Sequence, residues 1–113
     1  MTVVAVLTNL PDSESAFNLA RRLVELRLAA CVNVLAPATS FYRWEGRVQR
    51  AGEVPLVVKT TAARYPELER FLREAHPYDL PEIIALPVTA GLDGYLGWVA
   101  DQCKPAPDGA PPE

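Results

Sequence analysis

The chain has 113 residues, 50% of them hydrophobic and 22% charged, with a formal net charge of −3 and a pI near 5.2. That length supports one globular domain with a single core and excludes a two-domain protein. An acidic balance with no Lys/Arg cluster excludes a phosphate-tracking surface, so no nucleic-acid partner is expected.

Residues 2–9 are apolar and β-branched and stop at Asn9-Leu10-Pro11, which predicts a strand buried on both faces or nearly so. The run is too short for a membrane span, and the N-terminus shows neither a basic segment nor a small-residue cleavage site. Cys31 and Cys103 lie far apart without C-x-x-C spacing. These features predict reduced thiols and a cytoplasmic protein with no membrane partner. Asp12 or Ser13 then offers an oxygen to the first free amides of a helix over residues 13–28. Its apolar face carries Ala16, Phe17, Ala20, Leu23, Val24 and Leu28.

Two β-rich runs, Cys31–Leu35 and Val54–Thr60, flank the tip Ser40-Phe41-Tyr42-Arg43-Trp44-Glu45-Gly46. This pattern predicts one long hairpin turning at Gly46, where φ is unconstrained by a Cβ. Pro37 and Pro55 cannot donate to a ladder, so each demands a bulge or an edge. Val54, Leu56 and Val58 are the core-facing set of the returning arm. Burying three aromatics of roughly 150–250 Å² each is worth about 10 kcal/mol before entropy is subtracted, comparable with a small domain's whole stability. Such a tip predicts an oligomerisation arm rather than a free loop.

A second helix follows Thr61, with Pro66 in its first turn and Leu68, Phe71, Leu72 and Ala75 on its buried face. It ends at His76, because Pro77 biases its predecessor away from α conformation. Residues 82–88 predict a buried strand, and Leu92, Tyr95, Leu96, Val99 and Cys103 mark a final helix. The order β-α-β-β-α-β-α gives an α+β class: a ferredoxin-like β-α-β-β-α-β antiparallel sheet with an added C-terminal helix and a long β-hairpin. The domain is expected over residues 1–103, with a disordered Pro-rich tail over 104–113.

His76 is the single histidine. A histidine at a helix C-terminus reads first as a cap whose positive form the helix dipole favours, and second as a metal ligand suited to copper or zinc. Cys31, in a strand, reads as a buried thiol without the basic setting of a nucleophile. Lys59, Glu53 and Glu82 are candidates for acid–base work only if the fold joins them. No G-x-x-x-x-G-K-[ST], G-x-G-x-x-G, H-E-x-x-H or G-x-S-x-G motif is present, and nothing identifies an enzyme.

Several stretches together carry a family pattern: Leu28-Ala29-Ala30-Cys31-Val32-Asn33, the tip from Thr39 to Gly46, Lys59-Thr60-Thr61, His76-Pro77-Tyr78, Pro81-Glu82-Ile83 and Tyr95-Leu96-Gly97-Trp98. Over roughly residues 2–102 the chain resembles the CutA family of divalent-cation tolerance proteins. The resemblance implies a homotrimer assembled through the long hairpins and a role in tolerating copper or other divalent cations. It implies inter-subunit clefts lined by Tyr42, Trp44, Lys59, Tyr78 and Glu82, with His76 as the metal ligand. Two further ligand positions proposed for the family carry Thr8 and Ala75 here. The function expected is that of a trimeric metal-binding tolerance protein. The alternative is a signalling or scaffold trimer that holds a small effector or partner in its clefts, and a hydrolase using Lys59, Glu82 and His76 ranks third.

Overall fold

In the computed structural model, residues 2–105 are described. The elements run β1 (Val3–Leu10), α1 (Ser13–Glu25), β2 (Cys31–Val34), β3 (Ala38–Trp44), β4 (Arg47–Thr61), α2 (Tyr65–Ala75), β5 (Ile84–Pro87) and α3 (Asp93–Gln102). The sheet order is β2-β4-β1-β5, antiparallel at every pairing, with β3 added to the distal half of β4. This is the expected α+β architecture. Of the expected tail only Lys104 and Pro105 are described, and residues 106–113 lie outside the described residues.

The core lies between one sheet face and the helices α1 and α2. Val4, Val6, Thr8 and Leu10 of β1 stand opposite Thr60, Val58, Leu56 and Val54 of β4, all buried. Leu19 and Leu23 of α1 and Leu68 and Leu72 of α2 close over them. The even-numbered face of β4 is therefore the core face, as its period of two requires. The other face differs from expectation. Ala5 and Leu7 of β1 are half-buried, and Ile84 and Leu86 of β5 are exposed, so β1 has one covered face rather than two. β5 spans four residues at the sheet edge and is exposed where residues 82–88 predicted a buried strand. Among the described residues α1 and α2 leave that side uncovered. The end near Val3 and Ala30 is covered by Val99 of α3 and by Cys103, which follows that helix.

The prolines are accommodated where β4 changes partner. β2 ends opposite Leu56 and β3 begins opposite Glu53, with residues 35–37, Pro37 included, forming the break between them. Pro55 accepts from the Leu35 amide at 2.9 Å on that same side, so its missing N–H faces the interruption. β4 can thus run through fifteen residues although it is interior to the sheet. At the far end Glu45 (φ 51°) and Gly46 (φ 77°) form a two-residue turn with both residues left-handed, matching the twist of the arms.

α1 stops three residues before the expected boundary. Arg27 adopts φ 59°, and the amides of Leu28 and Arg27 bond to the carbonyls of Leu23 (3.0 Å) and Val24 (3.1 Å). That is a Schellman ending with arginine in the position glycine favours.

Candidate functional site

The site begins with Pro77. It forces His76 out of helical conformation (φ −74°, ψ 137°) just after the His76 amide has closed α2 on the Leu72 carbonyl at 2.8 Å. The imidazole then turns inward and is 8% exposed. Its Nδ1 accepts the Tyr78 amide at 3.2 Å, and its Nε2 lies 3.2 Å from Thr8 Oγ1. An amide only donates, so Nδ1 carries no proton and Nε2–H donates to the Thr8 hydroxyl. Burial holds the pKa of His76 below 6.5, against the opposing effects of the Asn9 backbone and the Glu53 charge. The expected cationic cap is corrected to a buried neutral imidazole, because desolvation outweighs the field at the helix end.

Beyond His76 the chain continues as an irregular loop facing the hairpin tip. The Tyr78 ring packs on the imidazole with centroids 4.9 Å apart, and its hydroxyl donates to Glu53 Oε2 at 2.9 Å. Burial, the hydrogen bond to Glu53 and that carboxylate's charge raise the Tyr78 hydroxyl above its ordinary value, so it remains a neutral donor. Asn9, at the end of β1, donates from Nδ2 to Glu82 Oε1 at 3.0 Å. These two bonds tie the loop to β4 and β1. Between loop and tip lies a cavity of about 760 Å³, within the range of small-molecule sites. Phe41, Tyr42 and Trp44 wall one side, Tyr78, Asp79 and Glu82 the other, and Glu53 and Asn9 form part of the lining.

Four of the five expected cleft residues, Tyr42, Trp44, Tyr78 and Glu82, therefore share one cavity. Lys59 does not join them: it lies on the uncovered sheet face, where its ammonium bonds Asn33 Oδ1. His76 stands behind Tyr78 rather than on the lining. Glu82, Lys59 and His76 bond separately to Asn9, Asn33 and Thr8, so these contacts link none of the three to another as a hydrolase relay requires. The sequence reading missed Asn9 and Asp79 as lining residues and gave Glu53 no place. The only signal for Glu53 was its position beside Gly52, opposite the start of β3.

The donor set around His76 fits copper poorly. Both ring nitrogens are already bonded, Thr8 offers a neutral hydroxyl, and Ala75 offers no ligand atom. Among the described residues, no group of three or more His, Cys, Asp or Glu side chains is arranged to hold a metal ion. Cys31 and Cys103 are free, the first half-buried and the second buried. No helix among the described residues is long and apolar enough to cross a membrane.

Comparison with known proteins agrees with this architecture. The family model for CutA1 divalent ion tolerance protein matches residues 4–102. A divalent-cation tolerance protein CutA from Thermus thermophilus is 46% identical over 96 residues, covering 85% of this chain and 93% of its own. Protein CutA of Mus musculus is 43% identical over 98 residues, and there the match spans 55% of the relative's length. Among solved structures, the Thermus thermophilus Cut A1 protein superimposes with a TM-score of 0.88 at 43% identity, covering 90% of this chain and 99% of its own. CutA1 from Oryza sativa gives 0.89 at 35% identity, covering 92% and 95%. The expectation of a cytoplasmic location is overturned. A similar structure from Archaeoglobus fulgidus is described as a periplasmic divalent cation tolerance protein, and an Arabidopsis thaliana relative as chloroplastic. Proteins of this fold are thus described from several compartments, so the fold determines none. With the match extending from β1 to the end of α3, the chain belongs to the CutA1 divalent ion tolerance protein family.

Proposed function

We propose that this protein serves divalent-cation tolerance as a homotrimer without catalytic activity, its inter-subunit clefts forming around Tyr42, Trp44, Tyr78 and Glu82 with Lys59 on the contact face. The observation that supports the reading is the uncovered side of the sheet. Ile84 and Leu86 of β5 are nearly half exposed, as are Tyr42, Trp44, Tyr95 and Trp98, while Phe41 is 69% exposed. So much aromatic and aliphatic surface is what an obligate assembly buries.

In this reading His76 is a structural residue and not the copper ligand, since binding through either nitrogen would break a bond inside the protomer. Calorimetric titration of Cu²⁺ into wild type and His76→Ala tests it. Copper heats that persist in the variant are expected; a one-per-subunit site abolished by the substitution would restore His76 as the ligand.

A second reading, a trimer that responds to a small effector in its clefts, is favoured by the cavity itself, whose size and mixed aromatic and polar lining are those of a ligand site. Stabilisation in a thermal-shift screen by metabolites but not by metals would select it.

A further inference from the structure

The cavity between the hairpin tip and the 78–82 loop has a one-sided chemistry. Three carboxylates, Glu53, Asp79 and Glu82, are among its lining residues, and no Lys or Arg is. Three aromatic residues, Tyr42, Trp44 and Tyr78, line the same cavity, and strand alternation puts the Tyr42 and Trp44 side chains on one face of β3. Arg50 pairs with Phe41 across the hairpin and lies 6.0 Å from its ring, and it is not among the lining residues. Aromatic faces carry negative quadrupoles, and carboxylates beside them add full negative charge in a partly desolvated space.

The carboxylates are held but not used up. Glu53 receives the Tyr78 hydroxyl on Oε2, and Glu82 receives the Asn9 amide on Oε1. Among the described residues no hydrogen bond occupies the second oxygen of either. A bare divalent metal ion prefers a compact set of oxygen ligands with few aromatic walls. An anion would meet three like charges. A neutral apolar molecule would leave the carboxylates without a counter-charge. A cation whose charge is spread over alkyl groups satisfies both kinds of wall at once.

We propose that this cavity binds a small alkylammonium cation, held by cation–π contact with Tyr42, Trp44 and Tyr78 and by the charges of Glu53 and Glu82. The proposal rests on the effector reading of the cleft and adds to it the class of ligand. The lining residues named here all belong to one chain, and Tyr42, Trp44, Tyr78 and Glu82 are those of the proposed inter-subunit cleft.

The test is Trp44 emission in a Trp98→Phe background, which leaves one tryptophan to report. Tetramethylammonium chloride is titrated against sodium chloride at matched ionic strength, with tert-butanol as the neutral isostere and sodium acetate as the anion. Saturable change with tetramethylammonium alone is expected. Glu53→Gln and Glu82→Gln each retain an acceptor for Tyr78 or Asn9. The double variant should fold with an unchanged thermal transition yet bind about ten-fold more weakly or worse. A response to tert-butanol or acetate equal to that of tetramethylammonium would overturn the ligand class while leaving a small-molecule cleft in place. No saturable response to any of the three, or an affinity unmoved by the double substitution, would overturn the proposal outright. Light scattering on the same samples reports assembly separately, so a monomer that still binds refutes the trimer and not the site.

Discussion

His76 keeps its place by being neutral. Its Nδ1 must accept and its Nε2 must donate, and a second proton on Nδ1 would abolish the bond from the Tyr78 amide. Because burial lowers its pKa below 6.5, the unfolded chain takes up a proton first as pH falls. Stability is therefore fully present above the unfolded value and is lost as pH drops through the window between 6.5 and the lower folded pKa. The slope from this one group is at most about 1.4 kcal/mol per pH unit. Urea midpoints measured across that window should fall for wild type and stay flatter for His76→Gln. Thr8 supplies the complementary test. Thr8→Val preserves shape but removes the hydroxyl that accepts from the buried Nε2–H, and denaturant unfolding should register a loss of roughly 1–3 kcal/mol. The imidazole's role was hidden in the sequence because its partner lies 68 residues away. Only the helix end at His76-Pro77 was legible locally.

At the scale of elements, left-handed residues at two places mark where the chain departs from simple propensity. Glu45-Gly46 was foreseeable, since a glycine following an aromatic run between two β-rich arms calls for a turn. Arg27 was not: nothing in Leu26-Arg27-Leu28 announces a helix end, and the apolar spacing continues to Leu28. The helix stops there because Leu28 and Ala29 are needed in the core beneath the start of β2. Arg27→Gly should therefore stabilise the protein by about 0.5–1 kcal/mol, the relief of left-handed strain exceeding the extra unfolded-state entropy of glycine. A higher Tm, with the Arg27 carbonyl still accepting from Arg64 Nε, is the expected result. The prolines show the same division. Their exclusion from a regular ladder follows from the missing N–H, but placing Pro55 inside the sheet required knowing that β4 changes partners beside it.

For the whole molecule, the uncovered sheet face and the aromatic tip lead to one expectation, a trimer in solution. Light scattering at micromolar concentration should give three times the protomer mass. Trp44→Asp, which places a charge where the tip must be desolvated, should shift the species toward monomer and lower the Tm. A monodisperse wild-type monomer would remove the basis for both. Whatever depends on short-range periodicity and stereochemistry can be read from the residues in order. That includes the strand and helix order, the core face of β4, the turn at Gly46, the break at Pro77 and the motifs that mark the family. Only the folded contacts make β5 an exposed edge, leave Lys59 off the cavity lining and bring Asn9, Glu53 and Asp79 to the aromatic tip. They also turn His76 from an expected cation into a buried neutral donor. These outcomes depend on contacts between residues far apart in the chain and on desolvation, and neither is encoded in the spacing of neighbours.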